Sequence, residues 1–270
     1  MIAANETITD IVSTIPDTIN VIQITDTHIL DEGAPSFSDY DTSASLIKVV
    51  KEIKENESDA DLILLTGDLV HESTKTSYQK LADHLSVLTT PILCLPGNHD
   101  DPVLMNYIMG ANGFDTDKLI RSGRWLIILL NSCLTGEHSG ELSNTELEFL
   151  RTSLESNPDS HCLIALHHPP VLINSAWMDA MALINAEEIF SVVDDFDHVR
   201  AIIWGHIHQE FKLDRNNVKL LGTPSTCLQF KPESDVFAID KKPPAYRKLM
   251  LKPDGSVKSK VIYLSNTNNV

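Results

Sequence analysis

The sequence predicts an α/β fold in which two packed β-sheets are flanked by helices. Three observations predict it. Short apolar runs at 21–24, 62–65, 91–95, 125–130, 162–166 and 201–204 have the length and composition of buried strands, and helical-period stretches separate most of them. From residue 209 onward the pattern changes to alternating segments with no helical stretch between them, so a β-α-β first part precedes a mostly β last part, 209–270. Helices outside two sheets then cover every apolar face. The 270 residues show no long linker, low-complexity segment or short-period repeat, which predicts one domain over 1–270 with an ample core.

Residues 1–20 read as a loosely attached lead-in. The strand at 21–24 ends in Thr25-Asp26-Thr27-His28, and 29–42 is a polar loop with Gly33, Pro35, Phe37 and Tyr40. A helix capped near Ser43 follows, with Leu46, Val49, Val50 and Ile53 on one face. The strand at 62–65 ends in Thr66-Gly67-Asp68, and Tyr78, Leu81, Ala82, Leu85 and Leu88 mark the next helix. The strand at 91–95 runs into Pro96 and Gly97, which force a turn that presents Asn98 and His99 at a strand's C-terminal end.

Residues 101–120 form a connection with a short helix at 103–109. The strand at 125–130 ends at Asn131-Ser132. Ser143 with Glu146 reads as a capping box before Leu147, Leu150 and Leu154. The strand at 162–166 ends in His167-His168-Pro169-Pro170, and 171–184 makes a small lid with Trp177 and Met178. Asn185 with Glu188 opens a helix bearing Ile189, Val192, Val193 and Phe196, and the strand at 201–204 ends in Gly205-His206-Ile207-His208. The remaining strands fall near 218–221, 236–239, 246–251 and 258–264.

Charge and composition exclude several functions. The net charge of −17 leaves no basic stripe for a nucleic-acid backbone. A small anion still binds if metal ions supply the positive charge. Cys94, Cys133, Cys162 and Cys227 are widely spaced with no Cys-x-x-Cys pair, which predicts reduced core thiols and a cytoplasmic chain. The first 20 residues hold no Lys or Arg and do carry Glu6, Asp10 and Asp17, unlike a signal peptide. The longest apolar run, 125–130, is too short to span a bilayer. Nucleic-acid and membrane partners are therefore not expected. A homodimer is compatible with the sequence, with nothing to locate its contact.

Five strand ends carry metal-ligand residue types: Asp26-x-His28, Gly67-Asp68, Gly97-Asn98-His99-Asp100, His167-His168 and Gly205-His206-x-His208. Each alone has a plain reading as a turn or a cap. All five in this order, each after an apolar run, do not. In extended backbone, residues two apart point the same way, so Asp26 and His28, and His206 and His208, face one site. Oxygen and imidazole donors without thiolate suit iron or manganese first, with zinc or cobalt as alternatives. These are too many ligands for one ion, but two ions about 3.5–4 Å apart with a bridging carboxylate use them all.

Asp68, behind a glycine, is the expected bridge. Asp26, His28, Asp68 and His208 then hold one ion, and Asp68, Asn98, His167 and His206 the other. A hydroxide between the ions is the expected nucleophile. His99 stays outside the ligand set, faces the substrate, and neutralises the phosphoryl group or protonates the departing oxygen. One member of His167-His168 is a supporting or surface residue. His84, His161 and His198 fall on helix faces or loops, and His71 and His138 take solvated roles. Asp100 and Asp101 cap or orient His99. Trp177 and Phe37 either line a substrate pocket or pack.

These blocks resemble the calcineurin-like metallophosphoesterase superfamily, whose motifs run Asp-x-His, Gly-Asp, Gly-Asn-His-Asp/Glu, His and Gly-His-x-His. The resemblance implies a four-layer αββα sandwich of two mixed sheets with a dinuclear centre. It supports Asp68 as the bridge and makes His167 the ligand of its pair. Residues 23–28, 95–100, 205–210 and 223–232 further resemble bacterial class III cyclic-AMP phosphodiesterases. That resemblance implies a metal-dependent phosphodiesterase converting 3′,5′-cyclic AMP to 5′-AMP, with His28, Asp68, Asn98, His99 and His208 contacting the substrate. After Asp68 the chain runs Leu69-Val70-His71-Glu72, without the Asp-Arg-Gly of protein Ser/Thr phosphatases, which argues against a phosphoprotein substrate. The loop at 31–42 departs from the cyclic-AMP enzymes. A broader diesterase acting on 2′,3′-cyclic nucleotides or glycerophosphodiesters, and a non-catalytic scaffold of the same fold, remain as alternatives.

Overall fold

The structure is a computed structural model and describes residues 8–11, 18–31, 33 and 37–265. In chain order its elements begin with β1 (Ile8–Asp10), β2 (Ile19–Ile24), α1 (Thr42–Asn56), β3 (Leu62–Thr66), α2 (Lys75–Leu85), β4 (Ile92–Leu95) and α3 (Pro102–Ala111). Next come β5 (Leu119–Ser122), β6 (Trp125–Leu129), α4 (Asn144–Glu155), β7 (His161–Ala165), α5 (Ala176–Asp179), α6 (Ala186–Val193) and β8 (Val199–Trp204). The last part holds β9 (Phe211–Arg215), β10 (Val218–Gly222), β11 (Gln229–Phe230), β12 (Ile239–Asp240), β13 (Ala245–Leu251) and β14 (Val257–Tyr263).

Two mixed sheets pack face to face. One runs β1-β5-β6-β7-β8-β10-β9 and the other β14-β13-β2-β3-β4, while β11 and β12 form a separate ribbon. Period-two alternation decides which side chain enters which layer. Leu62 and Leu64 of β3 point between the sheets, where they meet Ile127, Leu129, Leu163 and Ile203. Ile63 and Leu65 point outward onto α1, α2 and α3 through Val49, Ile53, Tyr78, Leu81 and Met105. On the far face of the larger sheet, Ile128, Ile164 and Ile202 pack beneath Leu150, Leu154, Ile189 and Val193 of α4 and α6. The layers are therefore helix, sheet, sheet, helix, as the αββα expectation states.

Several local expectations are corrected. The stretch 1–20 is not only a lead-in: β1 pairs in parallel with β5, Ile8 opposite Leu119, and β2 begins at Ile19. The strands β5, β9 and β11 were not legible from the pattern. Helix α1 is capped by Asp41, whose carboxylate accepts from the Ala44 N–H at 2.9 Å, rather than near Ser43. Ser143 caps α4, but Glu146 does not close a capping box. Its carboxylate instead accepts from Lys118 Nζ at 2.7 Å and the Asn131 N–H at 3.1 Å. Within 236–239 only Ile239 lies in a strand. Among the described residues no helix is long and apolar enough to cross a membrane. All four cysteines are free, as expected, but only Cys94, Cys162 and Cys227 are buried in the core, and Cys133 is partly exposed.

Candidate metal centre

Strands β2, β3 and β4 of one sheet run parallel to one another, as do β7 and β8 of the other, and they release their loops at one end of the sandwich. Crevices at such strand ends are where open α/β sheets take ligands. The first two loops are zipped together: the Asp26 N–H donates to Gly67 O and the His28 N–H to Asp68 O, each at 3.0 Å. The paired ligand types do converge, but not by strand alternation. Asp26, His28, Asp68, His206 and His208 all adopt left-handed backbone, with φ of 54°, 43°, 48°, 66° and 45°. Each chain therefore leaves its strand sharply and turns its side chain back toward the sheet edge.

Asp68 stands between two groups. Its Oδ2 lies 3.6 Å from His28 Nε2, while its Oδ1 lies 3.3 Å from His167 Nε2 and accepts the His99 N–H at 2.9 Å. On one side, His28 Nε2 is 3.1 Å from His208 Nε2, which is 3.3 Å from Asp26 Oδ1. Asp26 also accepts the His206 N–H at 3.0 Å on both oxygens. His208 donates Nδ1–H to Leu228 O and His167 donates Nδ1–H to Thr66 O, each at 2.9 Å. Such outer bonds fix the tautomer and leave Nε2 as the ligand atom.

Two glycines make this approach feasible. A β-carbon on Gly67, where φ is +91°, would overlap the His167 ring, and one on Gly97 would overlap the Asp68 nitrogen and Oδ1. Gly67 thus clears space for His167 as well as freeing Asp68.

Burial holds the His28 and His206 imidazoles well below their ordinary value, so both are neutral donors. Burial also pulls at His167, but the neighbouring Asp68 carboxylate outweighs it and pushes the imidazole up to about 9. Burial opposes ionisation of Asp68 too, and there His167, His99 and His28 prevail and hold the carboxyl well below the usual range.

The donor set fits metal ions. Buried Nε2 atoms of His167, His168 and His206 and the buried Oδ1 of Asn98 have no hydrogen-bond partner among the described residues. Buried polar atoms are normally satisfied. The groupings Asp26/His28/His208, Asp26/Asp68/His167 and His167/His168/His206 each bring ligand atoms within 4.8 Å of one another.

All seven expected ligands and His99 are brought together. His99 donates Nδ1–H to His71 O at 2.9 Å, leaving Nε2 free. Asp100 does not touch the His99 ring. Buried, it accepts from the Gly97 N–H (2.8 Å), the Leu69 N–H (3.0 Å) and Tyr78 Oη (2.9 Å), tying two of the loops together. Burial and then Asp68 push its carboxyl up to about 6. Asp101 caps α3. His168 is fully buried, with Nδ1 2.8 Å from Ser132 Oγ, and is not a surface residue.

Two histidines expected in solvated roles lie beside the site: His138 is exposed there, as expected, while His71 is half-buried. His71 Nδ1 is 3.4 Å from His28 Nδ1 and its ring stacks on His99 at 4.9 Å. His138 Nδ1 accepts from Asn98 Nδ2 at 3.3 Å. Phe37 packs 4.9 Å from His28, and Phe230, missed by the site reading, stacks on His208 at 4.1 Å. Phe230, seven residues after Thr223 in the motif at 223–232, was the available signal. His161 is on β7 rather than a helix or loop, and it bonds Pro253 O at 3.2 Å. His84 lies on α2 and His198 in the loop before β8.

Known proteins resemble this chain in sequence and in fold. Residues 19–210 match the family model described as calcineurin-like phosphoesterase. A 3′,5′-cyclic-nucleotide phosphodiesterase of Nostoc sp. is 41% identical over 243 residues, covering 90% of this chain and 91% of that protein. The 3′,5′-cyclic adenosine monophosphate phosphodiesterase CpdA of Escherichia coli K12 is 36% identical over 250 residues, covering 92% and 91%. In fold, a dimetal phosphatase from Danio rerio aligns with a TM-score of 0.60 at 16% identity, covering 92% of this chain and 99% of that one. The chain belongs to the calcineurin-like phosphoesterase family, for which divalent metal ions are the implied cofactors.

Proposed function

We propose that this chain hydrolyses 3′,5′-cyclic AMP to 5′-AMP with two metal ions, iron or manganese foremost and zinc or cobalt as alternatives. The observation that carries the dinuclear part is Asp68, whose two oxygens face separate imidazoles, His28 and His167. The substrate part is supported by the names of relatives that align along about nine-tenths of their length. In this reading Asp26, His28, Asp68 and His208 hold one ion, and Asp68, Asn98, His167 and His206 the other. Four free thiols, three of them buried, fit a reducing compartment, the cytoplasm.

Bound metals supply an acidified water and positive charge against the phosphate. The chain does the rest. His28, Asp68, Asn98, His99 and His208 surround the position for the phosphodiester. Asp68 accepts the His99 N–H and His71 O accepts from Nδ1, so the ring is held from both ends. With a proton on Nε2, the ring donates to a phosphoryl oxygen as the water oxygen bonds to phosphorus. As the P–O3′ bond breaks, Nε2 gives that proton to the 3′-oxygen, and the proton shed by the attacking water restores the ring through solvent.

The test is hydrolysis of 3′,5′-cyclic AMP by the purified protein with Mn or Fe, beside 2′,3′-cyclic AMP and a bis-aryl phosphodiester. Conversion to 5′-AMP that Asp68→Ala abolishes is the expected result. His99→Ala should lower kcat by roughly 10²–10⁴-fold while bound metal stays. Turnover of the other two substrates alone would replace the proposal with a broader diesterase.

A further inference from the structure

The aromatic side chains beside His208 form a path from the metal centre to the surface. Phe230 is buried and lies almost parallel to the His208 ring, 4.1 Å away at 11°. Trp177 meets Phe230 edge to face at 5.0 Å. Phe237 meets both, 5.5 Å from Phe230 and 5.4 Å from Trp177. Phe237 is 51% exposed, so much of its surface has no protein neighbour. The indole Nε1 of Trp177 is buried with no hydrogen-bond partner.

The loop that carries Phe237 is held in place. It joins β11 to β12, and the Ser234 N–H donates to Ser175 Oγ at 3.2 Å, which ties it to the loop after β7. Two ring-to-ring steps therefore separate an exposed aromatic from a residue proposed to contact the phosphate. In a 3′,5′-cyclic nucleotide the base stands one sugar ring away from phosphorus. A simple dialkyl phosphate has nothing to place there.

We infer that Phe237 is the stacking platform for the substrate's nucleobase, and hence a specificity-determining residue that favours nucleotides over other phosphodiesters. The inference rests on the cyclic-nucleotide reading above. A base has a π-face whatever its identity, so stacking selects for a base rather than for adenine.

The test compares 3′,5′-cyclic AMP with the 3′,5′-cyclic phosphate of ribose that lacks a base. The native chain should prefer the nucleotide by roughly tenfold or more in kcat/KM. In Phe237→Ala that preference should collapse toward unity, with the change in KM for cyclic AMP rather than in kcat. Phe237→Trp should keep it. An undiminished preference in Phe237→Ala, with cyclic AMP still cleaved by the native chain, would overturn this inference alone. Equal loss on both substrates would also overturn it, because the ring would then merely support the loop. A native chain that does not cleave cyclic AMP would overturn the proposed function and this inference with it.

Discussion

The Nε2 atoms of His28 and His208 lie 3.1 Å apart, although 180 residues separate them in the chain. Two neutral imidazoles at that distance satisfy each other with one hydrogen bond, or both turn their lone pairs to a shared cation. Asp26 Oδ1 at 3.3 Å from His208 favours the cation. Removing metal with a chelator should lower the melting temperature by on the order of 10 °C at saturating metal. Elemental analysis should find two ions per native chain and about one in His208→Ala. Two ions retained in that variant would remove His208 from the ligand set.

His138 points to a second effect on metal. By accepting from Asn98 Nδ2 at 3.3 Å, it leaves the buried Oδ1 as the amide atom for the ion. His138→Ala should weaken binding of one ion by roughly 10–100-fold, with the other ion unaffected. Titration of the metal-free protein with Mn or Zn measures this directly. Unchanged affinities would reduce His138 to a bystander.

Acid sensitivity should trace to His168. Burial first, and then His167, press its imidazole down to about 3, against about 6.5 in the unfolded chain. The folded value is the lower one, so its neutral form contributes stability that is present above pH 6.5. That contribution is lost as pH falls through the interval down to about 3. In metal-stripped protein, His168→Gln should flatten the fall in unfolding free energy across this window by one proton, about 1.4 kcal/mol per pH unit. Denaturant melts of both chains at several pH values give the slopes, and parallel slopes would count against it.

Gly97 should not tolerate a side chain. A β-carbon there overlaps the Asp68 nitrogen and Oδ1 and lies 2.9 Å from His167 Cε1. Gly97→Ala should destabilise the fold by about 1–3 kcal/mol and reduce bound metal. Gly110 on α3, where an added β-carbon meets nothing within 4 Å, is the matched control. Gly110→Ala should instead stabilise by up to about 1 kcal/mol.

The two helix-flanked sheets and the meeting of the candidate ligands at one sheet edge were legible because strand ends are written locally, while the four-layer description came with the family resemblance. An apolar run followed by Asp, Asn or His marks a strand end and its ligand in one stretch, as at Leu65-Thr66-Gly67-Asp68. What was not legible depends on contacts between distant segments. Nothing in Val70-His71-Glu72 announces that His71 will reach His28, and His138 reads as a polar loop residue until Asn98 is placed beside it. Glu146 has the spacing of a capping box, yet Lys118 and Asn131 take its carboxylate. Short strands such as β1 gain their identity from a neighbour, here β5, rather than from their own pattern.

The left-handed backbone at Asp26, His28, Asp68, His206 and His208 has a consequence for how this sequence can change. Each such residue costs of order 1 kcal/mol relative to glycine, which adopts that conformation freely. Selection for thermal tolerance in metal-free medium would therefore draw the chain toward glycine at these positions and erase the candidate metal site. Laboratory evolution for heat resistance, run without metal and without a demand for turnover, should yield robust and inert descendants.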